Sequence, residues 1–183
     1  MSWLGVDVGG PRKGFDVALI DDDAVRVLAR LDRDGVVALA AAERPAVIGI
    51  DSPCSVAPAG ATSRADERAL ARAVCGIRWT PDRLDGPYYS WVVEGLRLYA
   101  ALAGHVVIEV FPTASWTRWL GPRGSETRAS WTRRGVAALG LDGVPDRTNQ
   151  DQRDAIAAAV TARAYSRGQT DAFGEIIVPM TDG

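Results

Sequence analysis

Three short apolar runs, each carrying or followed by one acidic residue, constrain the fold of this chain more than any other feature. Asp7 lies in the run 3–8, Asp51 directly follows the run 46–50, and Glu109 lies in the run 106–111. Short continuous apolar runs of this kind are typical of strands buried in a sheet. A charge in such a strand is unfavourable unless it is paired, solvated or bound to a cation. The pattern therefore predicts an α/β protein whose strands carry acids to a shared site.

The order of the elements predicts a mixed sheet. Alternating apolar residues predict three antiparallel strands separated by turns, a meander, and a short helix and a buried parallel strand follow it. Further helices are predicted after residue 62, over 88–103 and over 149–166, and a further buried strand at 106–111. We therefore expect one α/β domain spanning 1–183, with a five-stranded sheet of meander and parallel strands flanked by helices. The predicted meander strands are 2–8, 15–20 and 25–31, followed by the helix 36–42 and the strand 46–50.

Composition excludes several classes of protein. The 183 residues are 47% hydrophobic and 24% charged, which is ordinary globular usage, and the net charge of -2 gives no general attraction to nucleic acid. Two cysteines are too few for a disulfide framework. No apolar run is long enough to span a bilayer, and the N-terminus lacks a secretory pattern. We expect a cytoplasmic protein without a membrane partner.

The acids fit a site for Mg²⁺ or Mn²⁺. Asp7 shares one face of its strand with Trp3 and Gly5, and Asp51 ends the next buried strand. Because the carboxyl ends of adjacent parallel strands form one edge, the two carboxylates are expected to meet there. Asp151 and Asp154 open the last helix, and hard divalent cations prefer such oxygen ligands. The sequence predicts metal ligation by Asp7, Asp51, Asp151 and Asp154, and catalysis by Asp7, Asp51, Glu109 and Asp154.

Three of the acids also have a structural explanation. Asp51 precedes Ser52 and a proline, so it could form an Asx turn. Asp151 could cap the last helix while Asp154 interacts with the helix dipole. Glu109 has no comparable local explanation, because it interrupts a run of apolar residues. The ordered set, rather than any one acid, favours a site.

The same ordered set resembles a known family. Gly-Val-Asp7, a meander, Gly-Ile-Asp51-Ser-Pro, Glu109-Val-Phe-Pro and a helix Asp151-Gln-Arg-Asp154-Ala-Ile-Ala-Ala-Ala resemble domain-of-unknown-function family 429, a family of predicted nucleases. The last helix also resembles that of the Holliday-junction resolvases. These resemblances imply a ribonuclease H-like fold and metal-dependent phosphodiester hydrolysis at Asp7, Asp51 and Asp154, with Glu109 or Asp151 completing the site.

Nucleic acid is the expected partner, although DNA and RNA are not distinguished. The segment 116–134 combines three tryptophans with five arginines, so it could contact phosphates while tryptophans stack on bases. Its alternative places the tryptophans in the core and the arginines in water. Arg12 and Lys13, in the turn after Asp7, could contact phosphate but are interpreted as solvated residues. Tyr88 and Tyr89 could stack on a substrate but are interpreted as packing at a helix start. The predicted nucleic-acid-binding residues are Arg64, Arg118, Arg128, Arg133 and Arg134.

Two other functions remain open. Gly5-Val-Asp-Val-Gly-Gly10 followed by a hairpin resembles the first phosphate loop of the sugar-kinase and actin-like phosphotransferases, with Pro11 where those proteins have Thr or Ser. Those enzymes use two ribonuclease H-like halves, and this chain supplies one. The third hypothesis is a binding module that retains the fold without catalysis.

Overall fold

The computed structural model describes residues 1–181, and all of its strands join one sheet. The sheet has seven strands in the spatial order β3-β2-β1-β4-β5-β7-β6. The strands are β1 (Ser2–Val8), β2 (Phe15–Asp21), β3 (Ala24–Leu31), β4 (Val47–Asp51), β5 (Val107–Val110), β6 (Thr170–Phe173) and β7 (Ile176–Pro179). The predicted mixed sheet is confirmed, but the predicted count of five strands is wrong.

Strand directions divide the sheet into two parts. β1, β2 and β3 form the predicted antiparallel meander. β4 and β5 extend it as parallel strands, and β7 pairs parallel to β5. The two unpredicted strands form a hairpin at the far edge, turning at Gly174 with φ of 63°. They escape detection because each has only four residues and β6 lacks a clear apolar alternation.

Six helices flank the sheet. They are α1 (Arg33–Glu43), α2 (Ala65–Ala73), α3 (Ser90–Ala101), α4 (Pro112–Leu120), α5 (Arg128–Ala138) and α6 (Gln150–Ser166). A short 3-10 turn, Pro87–Tyr89, precedes α3. No helix among residues 1–181 is long and apolar enough to cross a membrane.

α6 packs directly on β1 and β4, at two glycines that face each other across the strand pair. Gly5 and Gly49 occupy paired positions in the parallel register. A Cβ at Gly5 would lie 2.1 Å from the carbonyl oxygen of Ala155, and one at Gly49 would lie 2.5 Å from that of Ala158. Only glycine permits so close an approach of helix backbone to strand backbone. The approach brings the start of α6 to the carboxyl ends of both strands.

The core lies on both faces of the sheet. On the α6 face, Trp116 of α4 is fully buried and Trp131 of α5 is 2% exposed. On the other face, α1 and α3 cover apolar residues of β1, β2 and β4. The segment 116–134 thus matches its core alternative, because these two tryptophans are buried and cannot stack on a base.

Candidate metal centre

Asp7 and Asp51 lie side by side at one edge of the sheet. They are paired residues of the parallel strands β1 and β4. Each follows a paired glycine by two positions, so both carboxylates project from the face that α6 covers. Asp7 is 8% exposed, and Asp51 is partly buried. The strand geometry expected from the sequence is therefore present.

The Asx-turn explanation of Asp51 does not apply. An Asx turn needs the backbone N–H two residues further on, and Pro53 has none. The next N–H, that of Cys54, donates to Glu109 Oε2 at 2.9 Å. The Asp51 carboxylate is left to face the other acids.

The start of α6 adds the two other predicted aspartates, Asp151 in its first turn and Asp154 in the next, and neither caps the helix. Asn149 is the cap: its Oδ1 accepts from the N–H of Gln152 at 2.8 Å, and Gln152 Oε1 accepts from the N–H of Asn149 at 3.0 Å. This reciprocal arrangement is a capping box. Asp154 is therefore free to face the strands, where it forms a group with Asp7 and Asp51 whose ligand atoms lie within 4.8 Å of one another.

A second carboxylate group shares Asp7 with the first. It consists of Asp7, Asp16 and Asp151, again with ligand atoms within 4.8 Å of one another. Asp16 of β2 lies opposite Asp7 in the antiparallel register and is 3% exposed. Its Oδ1 is buried and has no hydrogen-bond partner among the described residues. Asp16 was not predicted from the sequence, although it is an acid in an otherwise apolar strand, which is the pattern that singled out Glu109.

Two cations hold the helix acids in place. Lys13 Nζ lies 2.6 Å from Asp151 Oδ2, so the interpretation of Lys13 as a solvated turn residue is corrected. Arg128 donates to Asp154 Oδ2 at 2.8 Å. Trp116 Nε1 donates to Asp154 Oδ1 at 3.2 Å, and the Gln150 amide contacts both oxygens. These contacts orient the acids without closing the site, because the side chains of Lys13 and Arg128 are about half exposed.

Negative charge is in excess in this cluster of carboxylates. Burial, then Asp154 and Asp151, raise the pKa of Asp7 to about 8. Burial and the Asp7 carboxylate raise the pKa of Asp51 well above its usual range. Burial also raises the pKa of Asp154, although Arg128, Gln150 and Trp116 oppose the shift. Such a cluster takes up either protons or a cation at neutral pH.

Glu109 lies on the other face of the sheet, outside both groups. It pairs in register with Ile50, which alternates with Asp51 along β4. Arg64 binds both of its carboxylate oxygens, one of them from NH1 at 2.7 Å. Arg64 also contacts the fully buried Glu67 from Nε at 3.2 Å. Glu109 therefore lies outside the cluster in which it was predicted to act. Arg64 is buried, so a nucleic acid cannot contact it.

The remaining predicted arginines are dispersed. Arg118 pairs with Asp171 at 3.0 Å, and Arg134 pairs with Glu126 at 2.9 Å on the exposed side of α5. Arg133 is exposed on the same helix. Of the five predicted arginines, Arg128 alone contacts an acid of the cluster.

Comparison with solved structures identifies the fold. The chain is similar to RuvC from Thermus thermophilus, with a TM-score of 0.51, 16% identity, and coverage of 92% of this chain and 96% of that one. It is also similar to T. thermophilus RuvC in complex with a Holliday-junction substrate, with a TM-score of 0.52 and the same identity and coverage. These neighbours are ribonuclease H-like, so the predicted fold class is confirmed in part, with seven strands in place of the five predicted. No protein-family model matches the chain, and no curated protein matches it.

Proposed function

We propose that this protein is a divalent-metal-dependent nuclease that hydrolyses phosphodiester bonds of nucleic acid. The observation that carries the proposal is the pair of carboxylate groups that share Asp7 at the carboxyl edge of the parallel strands. The likeness to a RuvC structure containing a Holliday junction supports nucleic acid as the substrate class. The resemblance to domain-of-unknown-function family 429 stays a prediction alongside this proposal.

The residues present fit Mg²⁺ or Mn²⁺. All ligands of both groups are carboxylate oxygens, which hard divalent cations prefer over sulfur or imidazole. The unpartnered Oδ1 of Asp16 also favours a cation, because a buried carboxylate oxygen without a partner is destabilising. Asp7, Asp51 and Asp154 would hold the ion of the first group. Asp7, Asp16 and Asp151 would hold that of the second.

A bound divalent ion would polarise the scissile phosphate and lower the pKa of an attacking water. The protein's own residues orient the ligands and neutralise charge. Arg128 fixes Asp154 through Oδ2 and leaves about half of its side chain in solvent, where a phosphate oxygen can accept from it. Lys13 places its ammonium against Asp151, so part of the negative charge of the second group is neutralised before any ion binds.

The test is Mn²⁺-dependent cleavage with matched variants. Wild-type protein, Asp51→Asn and Asp146→Asn are incubated with a four-way junction, single strands and duplexes of DNA and RNA. Loss of an outer-shell partner already lowers metal-site activity by about 10- to 100-fold, so loss of a ligand at Asp51 is expected to lower cleavage by at least about 100-fold. Asp146 is exposed outside the cluster, and its variant should match wild type. Undiminished cleavage by Asp51→Asn would rule the site out.

The phosphotransferase and the non-catalytic binding module remain as the two other hypotheses. In the turn after β1, the N–H of Gly9 donates to Gly14 at 3.0 Å and that of Lys13 donates to Gly10 at 2.8 Å. These amides are therefore used within the turn, whereas a phosphate loop presents its amides to a ligand. No observation specifically supports the phosphotransferase hypothesis. Mn²⁺ binding without cleavage of any substrate would instead support the non-catalytic module.

A further inference from the structure

A pocket of about 570 Å³ adjoins the metal centre and is rich in aromatic side chains. Asp51, a member of the first carboxylate group, and Arg128, which holds Asp154, both line it. The pocket therefore shares residues with the centre itself. Its aromatic lining residues are Trp79, Tyr88, Tyr89, Trp91 and Phe111.

Two of these aromatic side chains are left in solvent. Trp79 is 45% exposed and Tyr88 is 52% exposed. Large aromatic residues bury most of their area in a core or an interface, so two exposed rings in one pocket indicate a surface that a ligand covers. From the sequence, stacking of Tyr88 and Tyr89 on a substrate was the alternative to the preferred interpretation, packing at a helix start, and Trp79 was not singled out.

Contacts fix the backbone next to Trp79 and the ring of Tyr88. The N–H of Thr80, next to Trp79, donates to both oxygens of the fully buried Glu67 at 3.0 Å. Arg78 lies over the Tyr88 ring, 5.7 Å from its centroid, and donates to its hydroxyl. The Tyr89 ring packs edge-on against Tyr88, with centroids 4.9 Å apart. The Tyr88 ring and the backbone beside Trp79 are therefore positioned before a ligand binds, which lowers the entropic cost of binding.

We propose that this pocket binds an unpaired nucleobase of the substrate, adjacent to the phosphate that the metal centre receives; the inference rests on the proposed nuclease function. The pocket lies within the size range of small-ligand sites, and its walls are flat aromatic rings suited to stacking on a base. Arg78 and Arg128 supply positive charge for the flanking phosphates. A base within a duplex is stacked and paired on both sides and cannot enter. The substrate class is therefore a single-stranded or extruded nucleotide.

The test compares the binding of matched oligonucleotides in Ca²⁺. A single strand with one central 2-aminopurine and a blunt duplex of the same sequence are titrated, and both anisotropy and 2-aminopurine quenching are recorded. Wild-type protein is expected to bind the single strand at least about tenfold more tightly than the duplex. Stacking of one base on one ring changes affinity by about fivefold to 150-fold, so Trp79→Ala and Tyr88→Ala should each weaken single-strand binding by that factor. Neither variant should alter duplex binding.

Two further variants and a metal measurement separate this inference from the proposed function. Trp79→Phe retains a ring and should restore most of the binding and quenching, whereas Tyr165→Ala removes a ring that is 39% exposed on α6 and should change neither. The stabilisation of the folded protein by Mn²⁺ should be the same in Trp79→Ala as in wild type. Equal binding of single strands by wild type and Trp79→Ala would overturn the inference while leaving Mn²⁺-dependent cleavage intact. The wild-type protein could instead bind single strands selectively through Trp79 and yet cleave no substrate. That result would support base binding in the pocket and refute the proposed nuclease function.

Discussion

Replacement of Asp7 by Asn should stabilise the metal-free protein, and the gain should grow with pH. Burial and the neighbouring carboxylates raise the pKa of Asp7 from 3.8 to about 8 in the folded state. Between about pH 4 and pH 8 the folded state therefore holds a proton that the unfolded chain has released. Consequently, the free energy of unfolding of the wild type falls as the pH rises through this range. Asn carries neither the proton nor the charge.

The size of the effect follows from the shift in pKa. Each unit corresponds to about 1.36 kcal/mol, so a rise from pH 5 to pH 8 changes the contribution of one carboxyl by at most about 4 kcal/mol. Asp7 titrates together with Asp51 and Asp154, and a proton shared among them reduces the part that Asp7 alone contributes. We expect Asp7→Asn to gain about 2 kcal/mol over wild type between pH 5 and pH 8.

Urea unfolding in excess EDTA, followed by the fluorescence of the six tryptophans, measures this difference. Asp146→Asn controls for the loss of an exposed acid and should show no pH-dependent gain. Saturating Mn²⁺ should stabilise the wild type, by about 2.7 kcal/mol at 100 times its dissociation constant, and should stabilise Asp7→Asn far less. If Asp7→Asn is less stable than wild type at pH 8 in EDTA, or if its gain does not change with pH, the electrostatic account of the cluster is refuted.

Three further substitutions probe the parts that assemble the site. Gly49→Ala places a Cβ 2.5 Å from the Ala158 carbonyl oxygen, so α6 must shift, and we expect the free energy of unfolding in urea to fall by about 1 to 3 kcal/mol. Mn²⁺ binding should weaken as well, and an unchanged Mn²⁺ affinity by calorimetry would show that the position of α6 does not determine the site. Glu109→Gln removes one of the two buried carboxylates that Arg64 contacts and should cost about 3 kcal/mol at neutral pH, the lower end for a broken buried pair, because Glu67 remains. A loss of cleavage with full stability would restore a direct role for Glu109. Lys13→Met removes the ammonium that would compete with a metal ion for the second carboxylate group, so Mn²⁺ should bind severalfold more tightly by calorimetry. Weaker Mn²⁺ binding would mean that Lys13 instead holds these carboxylates in place for the ion.

Local sequence patterns identified the strands and helices that carry the site because these elements are long or strongly apolar. The meander, β4 and α6 all follow from periodicity and end signals. The C-terminal hairpin did not follow, since two four-residue strands acquire their structure from pairing with β5 and with each other. Tertiary context of this kind is outside what a local pattern contains.

The acids also differ in how far the sequence alone could place them in the site. Asp7 and Asp51 were predictable because each ends an apolar strand two residues after a glycine. The face of Glu109 was not, because alternation gives the spacing within β5 but not its register against β4, and a shift of one residue exchanges the faces. Asp16 required the antiparallel register of β1 and β2, which places it opposite Asp7.

The distribution of charge leads us to expect stronger metal binding at the first carboxylate group than at the second. Five carboxylates surround the centre, and two of them already have cations: Asp151 has Lys13 and Asp154 has Arg128. Among residues 1–181, no ion pair involves Asp7, Asp16 or Asp51, so each group has one paired and two unpaired acids. The surroundings of Asp51 and Asp16 differ: burial, Asp7 and Asp154 raise the pKa of Asp51 well above its usual range against Arg128 alone, whereas both Lys13 and Arg30 oppose the raised pKa of Asp16. An incoming divalent ion therefore gains most where Asp7 and Asp51 are adjacent, since their mutual repulsion is relieved there. We expect the first group to fill first as Mn²⁺ is titrated.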